Sequence, residues 1–265
     1  MIYSAAILPD RNRGMEEKNV KLIFIRHGDP DYVHDALTEK GKREAELLAG
    51  RVPELKADYY YLSPLGRAQE TAEACLRRFE NRDELKVETL PWLREFSPRV
   101  IKPDRPERDG VCWDWMPEDW TAFDGFYDYD RWTKHPAFEE ARVGEEAAVV
   151  YEGFEKLLNK HGYYSEGRYF RAERPNGDTL VFFCHFGVTM LLLSYLFTIS
   201  PMVLWQNTIS TTTSVTTVVT EERRPGKASF RMTAFSDSSH LTEGGEPVSF
   251  SGRFCEMYTN ADERH

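Results

Sequence analysis

The chain has 265 residues, of which 41% are hydrophobic, 13% aromatic and 29% charged; this composition buries a sizeable core and excludes disordered, fibrous and low-complexity classes. The length suits one α/β unit with an elaboration, two equal domains being the alternative. A formal net charge of −10, from 44 acidic and 34 basic side chains, argues against broad electrostatic binding to nucleic acid or to an anionic membrane.

The N-terminal stretch MIYSAAILPDRNRG lacks a basic start followed by a long apolar run, so it does not read as a secretory signal. Residues 1–19 read as an extension, with Met15 an alternative start. Four cysteines, Cys75, Cys112, Cys184 and Cys255, lie far apart with no CxxC pair, which predicts reduced thiols and a cytoplasmic protein. The most apolar stretch, Val188 to Ile199, is shorter than the roughly 20 residues a bilayer requires and predicts a buried helix.

In chain order, the first strand spans Val20–Ile25 and ends at Arg26-His27-Gly28. Thr38 then precedes a helix burying Ala45, Leu47 and Leu48. A second strand, Asp58–Leu62, gives way to Ser63-Pro64-Leu65-Gly66-Arg67, with Ser63 as the predicted N-cap and Pro64 as the first helical residue. Apolar residues at 65, 68, 72, 75, 76 and 79 form one face of that helix. A short strand follows at Lys86–Leu90. Between Ser97 and Val143 periodicity dissolves into a segment rich in Pro, Asp and aromatic residues, holding Trp113, Trp115, Trp120 and Trp132. So many large rings predict an ordered inserted cap. A helix over about Glu145–Lys160 leads to a third apolar strand, Thr179–Cys184, ending at His185-Phe186-Gly187. Strands at Thr211–Thr220 and Ser229–Phe235 complete the chain. Alternating β and α elements predict an α/β fold, a three-layer α/β/α sandwich with a mostly parallel central sheet. The predicted organisation is a single catalytic domain over 1–265, with a cap at 97–143 and a C-terminal tail at 243–265.

In open α/β sheets, ligands bind beyond the carboxyl ends of strands, where helix N-termini also point their N–H groups. Arg26 and His27 follow the first strand, Arg67 the second and His185 the third. Two guanidiniums, two imidazoles and helix N-termini at one edge describe a site for a tetrahedral dianion such as phosphate. Like charge around His27 disfavours its protonated form, leaving a neutral imidazole able to attack phosphorus.

At this level of detail the sequence resembles the histidine phosphatase superfamily, in its phosphoglycerate mutase-like branch. Arg26-His27-Gly28 is similar to the family signature, Leu37-Thr38-Glu39-Lys40-Gly41 with Ala45 to its first helix start, and Ser63 to Thr71 to its Ser-Pro-x-x-Arg-Ala-x-x-Thr segment. Leu93-Arg94-Glu95 resembles the segment carrying the acid residue, His185 the second histidine, and Ser236 to Leu241 the late loop. The resemblance runs from about residue 20 to 242, sparing the insertion. It implies a phosphohistidine on His27, Glu95 as acid and then base with a raised pKa, and Arg26, Arg67 and His185 clamping the phosphoryl oxygens, with Gly28 and Gly187 also at the substrate. It implies no metal and no cofactor, and an acidic to neutral optimum. Pro30 and Val33 stand where the family often has polar residues, and Phe186 stands where Gly is common. The Glu-Arg-His-Tyr-Gly stretch that accompanies mutase activity is absent around Glu95, which favours a phosphatase hydrolysing a small phosphomonoester. The alternatives are a phosphoglycerate mutase-type phosphotransferase and a non-catalytic phosphate-binding protein.

Arg99, Lys102, Arg105 and Arg108 are candidates for a second anionic group of the substrate, Arg99 foremost. The cap tryptophans are expected to be mostly core, with one or two reaching the pocket. The remaining histidines, His34, His135, His161, His240 and His265, show no ligand-like spacing, so no metal site is expected; His240 is expected to order the late loop. Residues 104–140 hold eleven acidic and four basic side chains, seven of the ten net negative charges. An acidic lid over a cationic pocket predicts discrimination against polyanionic substrates, in favour of a neutral or cationic leaving group. The expected partner is a small phosphorylated substrate, with no nucleic acid and no membrane.

Overall fold

The computed structural model describes residues 19–252 and 256–260; nearly all of the N-terminal extension, Met15 included, lies outside them, as do Cys255 and His265. Eight strands form one sheet: β1 (Lys21–Arg26), β2 (Tyr59–Leu62), β3 (Val87–Thr89), β4 (Tyr163–Glu166), β5 (Tyr169–Ala172), β6 (Thr179–Cys184), β7 (Val215–Arg224) and β8 (Lys227–Asp237). Their spatial order is β3-β2-β6-β1-β7-β8-β5-β4. The first four run parallel and the rest pair antiparallel. The sheet is thus parallel at its core and antiparallel on one flank.

The apolar runs of β1 and β6 are buried on both faces because each face has its own helices. Ile23, Ile25, Val181 and Phe183 pack with Leu48 and Ala49 of α1 (Glu39–Arg51), with Val52 just beyond it, and with Ala72, Cys75 and Leu76 of α2 (Gly66–Leu76). Leu22, Phe24, Leu180 and Phe182 face the other way, toward α3 (Val143–Lys160), α4 (Phe186–Phe197) and α5 (Pro201–Asn207). The result is the expected three-layer sandwich. Cys75, Cys112 and Cys184 are free and buried. Among the described residues no helix is long and apolar enough to cross a membrane.

Local differences from the predicted elements have local causes. Thr38 caps α1 as expected, its hydroxyl accepting from the Gly41 N–H at 3.0 Å. Ser63 does not cap α2: the helix begins at Gly66, and the Ser63 hydroxyl lies 2.6 Å from His185 Nε2. The strand expected from Thr211 begins only at Val215, because 211–214 form a loop against the first strand's end. There the Thr213 N–H donates to the His27 carbonyl at 3.1 Å and the Arg26 N–H to the Ser214 carbonyl at 3.2 Å. His240 fixes that loop through its Nε2, 3.0 Å from the Thr213 hydroxyl.

The insertion is ordered. A hairpin of Arg99–Lys102 and Arg105–Val111 opens it, and short helices at Pro117–Trp120 and Pro136–Glu140 follow. Trp115, Trp120, Phe126, Trp132 and Phe138 join the same buried cluster as the helices of the sandwich; Trp132 meets Trp205 of α5 edge to face at 5.6 Å. Phe138 is fully buried among Trp115, Phe126 and Trp132. Phe138→Ala is expected to lower the stability of the whole domain by about 3–5 kcal/mol, the usual cost of an emptied aromatic site. Urea unfolding measures this; a loss below about 1 kcal/mol would mean that the insertion contributes little to the common core.

Candidate active site

Strand register assembles the site. In the parallel pairings Arg26 lies opposite Cys184, and Phe183 opposite Leu62. The next residues, His27, His185 and Ser63, therefore stand side by side at one edge. The His27 N–H donates to the Cys184 carbonyl at 3.1 Å and the Ser63 N–H to the Phe183 carbonyl at 2.9 Å. The two imidazole centroids are 5.0 Å apart.

His27 is 2% exposed. Its Nδ1 lies 2.7 Å from the Gly28 carbonyl, a contact only an N–H can make favourably, and Arg67 Nε donates to its Nε2 at 3.3 Å. This fixes the tautomer: Nδ1 carries the proton and Nε2 a lone pair. Burial, then Arg26 and Arg67, hold the His27 pKa well below its ordinary value. Burial is also the first cause at His185, followed by His27 and the arginines. Like charge is thus the secondary cause, desolvation the primary one.

Arg26 donates through Nη1 to the Ser210 carbonyl at 2.5 Å and through Nη2 to the Ser251 carbonyl at 3.2 Å. Arg67, in the first turn of α2, is held by Asp35, whose Oδ1 is 2.5 Å from Nη1 while Oδ2 accepts the Gly66 N–H at 2.7 Å. Asp35 has a φ of 50°, a left-handed conformation that Asp tolerates better than most residues.

Glu95 follows the turn after β3 and reaches the start of α4. Its Oε1 accepts from the Val188 N–H at 3.0 Å and the Phe96 N–H at 2.8 Å. These bonds and nearby Arg26 favour the carboxylate, yet desolvation prevails and its pKa is raised. Each of the two helix starts gives an N–H to one of the protein's own carboxylates: α2 directs one to Asp35, and α4 directs one to Glu95. Gly187 permits this crowding, since a Cβ there would lie 2.7 Å from Glu95 Oε1 and 2.8 Å from Trp113 Nε1.

Arg26, Arg67 and Glu95 open onto a pocket of about 870 Å³. Arg105, rather than Arg99, reaches it; Arg99 pairs with Asp109 at 3.0 Å and lines a separate cleft beside α3. Lys102 is buried and its ammonium is held by the Asp114 carbonyl. Gly28 and Gly187 support the side chains of the site: the Gly28 carbonyl accepts from His27, and its N–H donates to the Thr71 hydroxyl at 3.0 Å. Of the cap tryptophans Trp113 lines the pocket, while Trp115, Trp120 and Trp132 are core. The cap's acidity is not in the pocket wall, to which the segment contributes Arg105 and Asp114 as its only charges. Sequence reasoning missed Asp35, the role of Ser63 and the backbone anchors of Arg26. Among the described residues no group of three or more His, Cys, Asp or Glu side chains has the geometry to hold a metal ion.

A sandwich with guanidiniums and imidazoles gathered beyond parallel strands defines a phosphoryl-handling class of protein. The chain belongs to the histidine phosphatase superfamily (branch 1), whose sequence model matches residues 14–233. It is 30% identical over 156 residues to phosphoserine phosphatase 1 of Hydrogenobacter thermophilus, covering 54% of this chain and 66% of that protein. It is 39% identical over 84 residues to the 2,3-bisphosphoglycerate-dependent phosphoglycerate mutase of Bartonella henselae, covering 31% of this chain and 38% of that one. The chain thus spans less than two thirds of the length of these curated relatives. A crystal structure of a phosphoserine phosphatase variant from Entamoeba histolytica, in complex with phosphoserine, shares the fold with a TM-score of 0.52 at 20% identity, over 84% of this chain and 99% of that one.

Two outcomes follow from this geometry. Asp35→Ala frees the Arg67 guanidinium and leaves an α2 N–H without its carboxylate; kcat/KM toward a phosphomonoester is expected to fall about tenfold, the worth of one charge-assisted hydrogen bond. Unchanged steady-state kinetics would remove Asp35 from the positioning set. The second outcome concerns stability. His27 and His185 have folded-state pKa values below the ordinary 6.5, so the unfolded chain binds more protons as the pH falls through that value. The stability tied to the two neutral rings is full above it and lost below it. His185→Gln is expected to shrink the drop in Tm between about pH 7.5 and about pH 5.5; a drop as large as in the unsubstituted chain would count against a buried neutral imidazole.

Proposed function

We propose that the chain is a phosphatase that hydrolyses a small phosphomonoester through a phosphohistidine on His27, acting as one catalytic unit. The observation that carries this reading is the state of His27: neutral, with Nδ1–H bound to the Gly28 carbonyl and the Nε2 lone pair turned to Arg67, with the charge of Arg26 also close by. Nε2 attacks phosphorus as the ester P–O bond breaks, and Glu95, protonated, gives its proton to the departing alcohol oxygen. The Glu95 carboxylate then takes a proton from water, whose oxygen attacks phosphorus and breaks the P–N bond. Inorganic phosphate leaves, and the acid form of Glu95 is restored.

Arg26 and Arg67 match the two charges of a monoester dianion and stabilise them as they spread over the equatorial oxygens. His185 completes the cradle. In this reading the Ser63 hydroxyl, which accepts from the Leu65 N–H at 3.2 Å and lies 2.6 Å from His185 Nε2, donates to that nitrogen, and Nδ1, which has no partner among the described residues, is the N–H that serves a phosphoryl oxygen. The acid role of Glu95 fits its raised pKa and an acidic to neutral optimum, with activity falling as pH rises through that pKa. Phosphoserine and 3-phosphoglycerate, the chemistry named in the relatives, are the first compounds to assay. The free cysteines support placement in the cytoplasm.

Glu95→Gln tests the mechanism. Turnover of alkyl phosphates is expected to fall about 10²- to 10⁴-fold, whereas p-nitrophenyl phosphate, whose leaving group needs no proton, gives a rapid first equivalent of nitrophenolate and then stalls as phosphoenzyme accumulates. His27→Ala gives neither burst nor phosphoenzyme. Hydrolysis retained by His27→Ala would reject the covalent route, and isomerisation of phosphoglycerate outpacing phosphate release would replace the phosphatase by a mutase.

A further inference from the structure

We propose that the alcohol half of the substrate is a planar apolar ring, seated against Trp113, and not a short hydroxy acid. The inference rests on the reading of Glu95 as proton donor, because that role fixes where the leaving oxygen must be. Trp113 is the wall at that point: its Nε1 and Glu95 Oε1 crowd the same face of Gly187, at 2.8 and 2.7 Å from where a Cβ would stand. Whatever is bonded to the leaving oxygen meets the indole first.

The indole is fixed before any ligand arrives. Trp113 Nε1 donates to the Phe96 carbonyl at 2.7 Å, the Trp113 carbonyl accepts from Gln206 Nε2 at 2.7 Å, and the ring stands edge to face with Phe186 at 5.5 Å. A wall held at both ends binds a flat partner without paying to order itself. Tyr32 and Met116 line the same space and are 65% and 44% exposed; the Arg67 guanidinium lies over the Tyr32 ring at 5.4 Å, while Met116 adds exposed apolar surface of the kind that marks a binding site. The volume of about 870 Å³ lies within the roughly 300–1,000 Å³ of pockets that enclose drug-sized ligands, far more than a three-carbon acid fills.

Charge leaves room for a ring. Arg26 and Arg67 are committed to the phosphoryl group. Of the outer lining charges, Arg105 is paired with Asp104 at 3.2 Å and Asp114 with Lys102 at 3.6 Å, so a carboxylate would have to rely on Arg94. Aromatic stacking on Trp113 has no such requirement.

Inhibition by phosphonates tests the idea without involving leaving-group chemistry. Benzylphosphonate is expected to inhibit at a concentration about tenfold lower than 3-phosphonopropionate, and Trp113→Ala to bring that ratio close to one. Trp113→Phe keeps a ring while losing the Phe96 hydrogen bond and is expected to preserve the preference, which separates ring contact from simple disruption of the fold. Tighter binding of 3-phosphonopropionate, or a preference untouched by Trp113→Ala, would overturn the proposal. A protein that binds benzylphosphonate selectively through Trp113 yet hydrolyses no ester would instead reject the phosphatase reading and keep only a ring-binding site at Trp113.

Discussion

The parallel register of β1, β6 and β2 is the constraint on which the site depends. A slip of one residue would set Gly28 beside His185 and turn each side chain of the strand to the opposite face. With the observed register two imidazoles stand 5.0 Å apart, a separation at which two imidazoliums would repel. Their neutrality is a condition of the geometry, and burial on both sheet faces provides it. Two guanidiniums can then be added without the imidazoles titrating, and their own charge is managed by Asp35 and by backbone carbonyls of Ser210 and Ser251.

Carboxylates complete this balance. Asp35 and Glu95 each accept an N–H from the first turn of a helix, where the helix dipole favours negative charge. For Asp35 that contact joins a pairing with Arg67 and locks the arginine's reach. For Glu95 the same contact opposes desolvation, and desolvation prevails. The helix ends thus act on the protein's own acids: at Asp35 the contact joins the ion pair that aims Arg67, and at Glu95 it works against a burial that raises the pKa.

Much of this was legible in the sequence because strand-end chemistry is local. Arg26-His27, Arg67 and His185 each follow a recognisable apolar run, and parallel strands bring such positions together without further information. The helix faces and the order of the insertion were legible for a similar reason, since apolar periodicity and a density of rings report burial directly. What was hidden depends on tertiary geometry. Ser63 reads as a helix cap, yet a buried imidazole competes for its hydroxyl and prevails. Asp35 lies in a polar loop with nothing in its neighbours to announce an arginine 32 positions later. Arg99 and Arg105 are alike as letters; only their places on the folded hairpin show that one meets Asp109 and the other lines the pocket. The acidity of residues 104–140 was real, but composition cannot say which side of a segment faces a ligand.

The insertion interleaves its tasks residue by residue. Cys112 and Trp115 are buried, while Trp113, Asp114 and Met116 between and beyond them line the pocket. The pocket wall and the common core are therefore inherited as one block. Exchange of this segment between relatives would carry foreign packing onto α4 and α5 along with any new selectivity, so such grafts should seldom fold. In this chain a change of selectivity is therefore best sought in single substitutions at the pocket-facing positions, which leave the shared packing intact.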